Sequence, residues 1–318
     1  MRKLILLILL PWSLLAQNSE FKNAQNYFEN EQFEKAKPLF ESYLTQHPQD
    51  NKTQEYLGDI AAYKKDWDTA IGFYKGLVEK NENNADYHFK YGGALGMKAL
   101  SISRIRALAY IGDIKEQFIV AAELDPNHLD TRWALIELYL QLPGIVGGSV
   151  SKAEKYADEL QKISPVDGYL SKGYIAEYED DDKNAEYYYK KAIETGGSAH
   201  TYEKLTNLYE SNGNPKEAID TAGESLKIHQ RNQLNYQIGK ISAEYKMESK
   251  LGIDCLKRYI NNHSVKDGVP IDWAYFRLAQ IYKNIGDKQL AIEYIDKALE
   301  DRPNFEEAIK ERSKILSL

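Results

Sequence analysis

Cysteine is almost absent from this chain. Cys255 stands alone among 318 residues, so no internal disulfide can form. The six histidines, His47, His88, His128, His200, His229 and His263, include no pair three or four residues apart and none beside the cysteine. That excludes the usual spacings of zinc sites. A Walker loop, a nucleophile elbow, a kinase signature set and a dinucleotide fingerprint are all missing. Basic excess is missing too: net charge is −7, and −9 without Arg2 and Lys3. An acidic chain with no basic block argues against nucleic acid, and against anionic membrane, as general partners. Beyond Leu15 no apolar run is long enough to cross a bilayer.

What is present first is a leader-like start, MRKLILLILLPWSLLAQ. Arg2 and Lys3 precede an apolar run, Leu4 to Leu15, broken by Pro11 and Trp12 and too short to span. Ala16 offers a small residue for cleavage before Gln17. Residues 1–16 therefore read as a signal peptide of Gram-negative type, with no cysteine for lipid attachment. The expected location is periplasmic or secreted, with no membrane span after cleavage.

What is present next is a repeated spacing. Ala36, Ala70, Ile114, Ala153, Ala185, Ala218, Leu251 and Ala291 each precede the end of a helical pattern by twelve residues. Those ends are Pro48, Glu82, Pro126, Pro165, Gly197, Gln230, His263 and Pro303. Small residues stand upstream at Ala24, Gly58, Gly92, Gly173, Thr206, Gly239 and Ala279. A period near 34 residues means stacked helical hairpins. The stretch DWAYFRLAQIYKNIGDKQLAIEYIDKALEDRP shows one unit. Leu278, Ala279 and Tyr282 mark one helix face, Gly286-Asp287 the turn, Ala291, Ile295 and Ala298 the facing stripe, and Pro303 the stop.

On those residues the chain resembles the tetratricopeptide repeat family. The resemblance implies an all-α, right-handed superhelical solenoid of about eight hairpins with a C-terminal capping helix. The expected organisation is repeats one to four over 17–165, repeats five to eight over 166–304, and the cap over 305–318. A break is expected, if anywhere, near 143–150 or 262–271.

Three repeats depart from the standard length. In repeat three, Gly92 and Ile114 are twenty-two residues apart instead of twelve. Gly92, Gly93 and Gly96 would admit another backbone, and Lys98, Arg104 and Arg106 lie among helically spaced Met97, Leu100, Ile102, Ile105, Leu108 and Ile111. In repeat four, Leu142 to Val150 form a loop with Pro143, Gly144, Gly147 and Gly148, followed by Ser149 or Ser151 as a cap. A glycine-rich loop before a helix raises anion binding as a question. The pair YGGALGMKA and PGIVGGS resembles a group of secreted bacterial repeat proteins. A connection containing Asn261, Asn262, Gly268 and Pro270 lengthens repeat seven.

Other candidates read as structural. Cys255 reads as a small core residue. Glu179 to Asp182 lacks the spacing of a calcium loop and reads as a solvated turn, with Asp182 able to cap a helix. No metal, cofactor or catalytic residue is expected. The resemblance places a peptide-binding groove on the first helices. By offset it holds Lys52, Glu55, Asp59, Asp130, Trp133, Glu137, Asp167, Leu170, Tyr174, His200, Glu203, Asn207, Gln233, Tyr236, Lys240, Trp273, Phe276 and Gln280, with Tyr63 and Tyr178 one turn beyond. Aromatic anchors amid polar groups suit extended peptides. A carboxylate clamp is weakened by Glu203, which stands where a lysine is needed. The expected function is a non-catalytic scaffold that binds a protein or peptide partner, as part of an envelope complex. The alternatives are an envelope ligand- or glycan-binding protein, with Asp130 and Glu137 the acids to inspect, and a structural oligomer.

Overall fold

The computed structural model describes the backbone of residues 12–318 and the side chains from residue 20 onward. Most of the expected signal peptide, residues 1–11, lies outside the described residues. The described residues are helical and contain no strand. The described residues form two compact units that divide between Glu159 and Leu160. The division falls inside one helix.

The first unit carries α1 (Trp12–Glu29), α2 (Phe33–Gln46), α3 (Asn51–Tyr63), α4 (Trp67–Lys80), α5 (Ala85–Leu100), the short α6 (Arg104–Ala107), α7 (Ile111–Leu124), α8 (Leu129–Gln141) and most of α9 (Val150–Ile163). The second carries α10 (Pro165–Tyr178), α11 (Asp182–Gly196), α12 (Ala199–Ser211), α13 (Pro215–His229), α14 (Asn232–Tyr245), α15 (Ser249–Asn261), α16 (Ile271–Asn284), α17 (Lys288–Asp301) and α18 (Glu306–Leu316). Consecutive long helices pack as hairpins, α1 with α2, α3 with α4, α5 with α7, and α10 with α11 through α16 with α17. In the fourth hairpin the Tyr139 ring stacks on Tyr156 at 5.9 Å.

Turn chemistry explains where the hairpins bend. Glu31, Lys65, Asp180, Gly213, Lys246 and Gly286 all take positive φ between a first helix and its second. A left-handed residue stops a helix by satisfying its last carbonyls. At three of these turns the next residue is an aspartate that caps the second helix: Asp66, Asp181 and Asp287 accept from the amides of Thr69, Asn184 and Leu290. In the acidic turn the cap is thus Asp181, one residue before the expected Asp182, which lies in the first helical turn.

The packing spine has two parts. The fourth residue of each second helix is small or branched and buried: Ala36, Ala70, Ile114, Ala153, Ala185, Ala218, Gly252 and Ala291. Repeat seven corrects the sequence register here. Leu251 is 37% exposed, and Gly252 takes the spine position, where a Cβ would lie 2.5 Å from the Ser242 Cβ. Cys255 is fully buried four residues after Leu251, and burial pushes its thiol pKa up.

The second part is a size exchange between facing helices. A Cβ on Gly58, Gly92, Gly173 or Gly239 would meet Tyr74, Phe118, Tyr189 or Leu256 at 2.7, 3.0, 2.4 and 2.2 Å. Each of those large residues is the eighth of its second helix and is buried. Where the first-helix residue is larger, at Ile136 and Thr206, the eighth residue is Ala157 or Ala222. One large side chain per hairpin fills the gap, and two would not fit at interior packing density. Burial of each such side chain contributes roughly 1.5–3 kcal/mol. At the C-terminus, Phe305, Ala308 and Ile315 bury the last apolar face of α16 and α17 beneath α18.

Candidate functional site

In the second unit the first helices of successive hairpins lie side by side, α10 by α12, α14 by α16 and α16 by α18. Their shared face carries a chain of opposite charges. Lys240 Nζ lies 2.5 Å from Glu210 on α12 and 4.0 Å from Glu244 on its own helix. Glu244 reaches the Arg277 guanidinium on α16 at 2.6 Å. Arg277 also donates to Gln280 Oε1 at 2.9 Å. Gln237 donates to Asn207 at 3.4 Å, and the Tyr245 hydroxyl to the Glu210 carbonyl at 3.1 Å. The guanidinium sits 5.7 Å from the Trp273 ring centre and 5.3 Å from that of Phe276. Burial pushes the Tyr236 phenol up against the opposing pull of Arg277 and Lys240. Three helices thus hold cations, acids and amides in fixed order, half-open to solvent.

The first unit has a shorter version. Lys90 on α5 lies 2.6 Å from Glu55 and 2.7 Å from Asp59, both on α3. Lys52 pairs with Glu55 at 3.0 Å, and the Tyr74 hydroxyl donates to Asp59 at 2.7 Å. Burial raises the Glu55 carboxyl, but the bonds and charges of Lys90 and Lys52 outweigh it and leave the pKa lowered.

The offset-based candidates divide in three. Asn207, Tyr236, Lys240, Trp273 and Gln280 join or border the charged chain on the second unit. Lys52, Glu55 and Asp59 join the shorter one. Tyr63, Asp130, Glu137, Tyr178, His200, Glu203 and Gln233 are exposed, and Trp133, Asp167 and Tyr174 are partly buried. Phe276 and Leu170 are core residues, each 5% exposed, and not open anchors. Phe276 is held by Trp273 and by Phe305, whose ring centres lie 5.7 and 5.3 Å away. The capping segment supplies Phe305, and so uses the surface that the offset had left for a partner.

Asp130 and Glu137 share α8 at a separation of seven residues, about 10 Å along its axis. They lie along one helix and do not face each other across a groove. Two of the histidines serve packing and caps: His88 bonds Gln117 and the Glu82 carbonyl, and His128 caps α8 while reaching Asp86 at 3.0 Å.

The two glycine motifs fare differently. Gly92, Gly93 and Gly96 belong to α5 and not to a loop. Gly92 is a spine residue, whereas Cβ atoms on Gly93 and Gly96 would meet nothing within 4 Å. The extra residues of repeat three lengthen the end of α5, which runs to Leu100, and fill the connection 101–110. The loop of Gly144, Gly147 and Gly148 is closed on itself. The amides of Val146 and Gly148 donate to Pro143, that of Gly147 to Gly144, and that of Ser149 to Tyr139. Gly147 has φ of +102°, and a Cβ on Gly148 would lie 1.7 Å from the Leu142 carbonyl oxygen. Those four amides are therefore committed within the loop and its helix, not directed at an anion. Ser149 caps α9 through the amide of Lys152 at 3.3 Å.

Glu210, Glu244, Arg277 and Lys90 were not among the expected site residues. Lys240 and Glu244 carry a four-residue spacing that signals a pair. The links from helix to helix carry no such local signal.

Residues 21–88 and 274–305 match models of the tetratricopeptide repeat. No curated protein matches the chain by sequence. Among solved structures, a tetratricopeptide repeat protein from Parabacteroides merdae superposes with a TM-score of 0.51 at 13% identity, over 95% of this chain and 99% of that one. YrrB, a tetratricopeptide repeat protein described as having an unusual peptide-binding site, gives 0.45 at 16% identity over 62% of this chain and 97% of its own. A thermophilic repeat protein of Thermus thermophilus gives 0.40 at 14% identity, over 76% and 98%. The first of these likenesses shows the fold.

Proposed function

We propose that this tetratricopeptide-repeat protein is a non-catalytic scaffold, and that the first-helix face of α12, α14 and α16 binds an extended peptide segment of a protein partner. Proteins built of these repeats generally mediate protein or peptide binding. The supporting observation is the chain Glu210–Lys240–Glu244–Arg277, with Asn207, Gln237 and Gln280 beside it. Such mutual pairing fixes the side chains before a partner arrives and lowers the entropy lost on binding. Tyr236 and Trp273 give the face a half-buried aromatic floor. With Lys240 already engaged by Glu210 and Glu244, a clamp on a terminal carboxylate is disfavoured, and backbone amides and mixed charges of a peptide interior fit better.

The leader-like start supports export, so the scaffold would work in the periplasm or outside a Gram-negative cell, as part of an envelope complex. Mass measurement of the exported chain tests this: a mature N-terminus near Gln17 supports export, and an intact Met1 in the cytoplasmic fraction contradicts it.

For binding, the full chain is screened against a displayed peptide library, and enriched peptides are titrated by fluorescence anisotropy. Lys240→Ala and Arg277→Ala should each weaken binding about tenfold or more, while Lys90→Ala in the first unit leaves it unchanged. No enriched peptide, or equal affinity for all four proteins, contradicts the proposal.

A further inference from the structure

We infer that the two insertions of the first unit form a docking edge for an anionic lipid surface. Both lie between the first and second helix of their hairpins, residues 101–110 in the third and 142–149 in the fourth. Those hairpins are consecutive and pack through α7 and α8. The insertions therefore stand at the same end of neighbouring hairpins. A Cβ on Gly147 would lie 3.7 Å from Lys115 Nζ in the second turn of α7, the helix that the first insertion leads into.

This edge exposes large apolar side chains that nothing in the unit covers. Leu100 is 80% exposed, Ile105 84% and Ile145 96%, with Met97 and Leu108 half-exposed. Single exposed apolar residues are ordinary, but a concentration at one edge marks an interaction site. Met97 and Leu100 lie in the last turn of α5, Ile105 and Leu108 in the connection that follows it, and Ile145 in the loop of the fourth hairpin. Exposed apolar side chains beside unpaired basic ones suit the headgroup and acyl boundary of a bilayer; a peptide is better held by a concavity.

Charge selects the occupant. Residues 99–112 and 142–153 contain Arg104, Arg106 and Lys152 and not one acid, in a chain whose net charge is −7. Arg104 and Arg106 are exposed and have no carboxylate within ion-pair distance, whereas Lys98 is already bound by Asp68 at 2.7 Å. The acidity of the whole chain argues against general adsorption to anionic lipid. Asp113 and Glu154 directly follow those two stretches, so the unpaired Arg104 and Arg106, and not a regional excess of charge, make the selection; acids more than about 8–10 Å away are screened at physiological salt. Two free arginines beside apolar side chains match an anionic headgroup layer.

The test uses the full chain with an environment-sensitive fluorophore on Ile105→Cys, on Ile145→Cys or, as a control in the second unit, on Ile285→Cys. The native Cys255 is buried and does not compete for label. Vesicles are phosphatidylglycerol mixed with phosphatidylethanolamine, or phosphatidylcholine alone. The expected result is a blue shift at positions 105 and 145 with anionic vesicles only, and none at 285. Arg104→Gln/Arg106→Gln should lower apparent vesicle affinity roughly thirtyfold. Equal response at 285, no response at 105 and 145, or an unchanged affinity in the arginine variant would overturn the proposal. So would a blue shift that grows with protein concentration in the absence of vesicles, because the edge would then be covered by a second copy of the chain.

Discussion

Hairpin three and hairpin five meet the same packing demand with different connections. In each, a first-helix glycine faces a large aromatic on the second helix: Gly92 faces Phe118, and Gly173 faces Tyr189. In hairpin five the helices are joined by Glu179, Asp180 and Asp181, with Asp180 left-handed and Asp181 as the cap. In hairpin three they are joined by residues 101–110, which include a short helix and a 3-10 turn, and Ser103 makes no side-chain cap. Interhelical contact therefore sets the spine, and the turn is free to vary once the spine is satisfied. Elaboration at a turn leaves the fold intact, whereas elaboration on the spine does not.

The largest effect that would sharpen this contrast is at Gly173. Gly173→Ile drives a branched side chain into Tyr189, and folding stability should fall by about 3 kcal/mol or more, read by urea denaturation. A drop below about 1 kcal/mol would mean that the two helices are not held at the observed separation.

The next effect concerns how hairpin three is tied to its predecessor through Lys90. Glu55 has its pKa below the usual 4.5, because Lys90 and Lys52 outweigh burial. A carboxyl depressed in the folded state adds stability that is present above its unfolded pKa. That stability is lost as pH falls through the folded value. Glu55→Gln should cost about 1–2 kcal/mol near pH 7, and the cost should vanish below the folded pKa. Denaturation curves at pH 7 and at stepwise lower pH check both the size and the sign.

A smaller effect distinguishes the two turns. Asp181→Ala should cost about 1 kcal/mol through loss of the cap. Ser103→Ala, at a residue making no cap bond, should stay within about 0.5 kcal/mol. The smallest effect lies within hairpin three and reverses sign. Gly93→Ala and Gly96→Ala enter open space on a helix and should each stabilise by about 0.5–1 kcal/mol. Gly92→Ala, one residue earlier, meets Phe118 at 3.0 Å and should not. Thermal melts of the three variants would show the ordering.

Much of this architecture was legible from spacing. The alanines before each helix stop, the small first-helix residues and Gly286-Asp287 located the hairpins, because a repeated unit imposes its packing needs at fixed intervals. Leu251 misled because the turn before α15 holds both Lys246 and Glu248 in left-handed conformations, which moves the helix start and puts Gly252 on the spine. Spacing placed Gly92 among the small first-helix residues, where it faces Phe118, but it was also grouped with Gly93 and Gly96, whose Cβ positions are open. Phe276 looked available because its cover, Phe305, comes from a different element. The charged chain through Glu210, Lys240, Glu244 and Arg277 was only partly visible. Its links run between helices about thirty residues apart, and no local pattern records them.

The size exchange across each hairpin is most directly tested by a double-mutant cycle on hairpin five. Gly173→Ile/Tyr189→Ala reproduces the pairing that hairpin four has at Ile136 and Ala157. The exchange predicts that the double variant is more stable than the sum of its single variants by at least about 2 kcal/mol. Additive losses, with no recovery in the double variant, would contradict it.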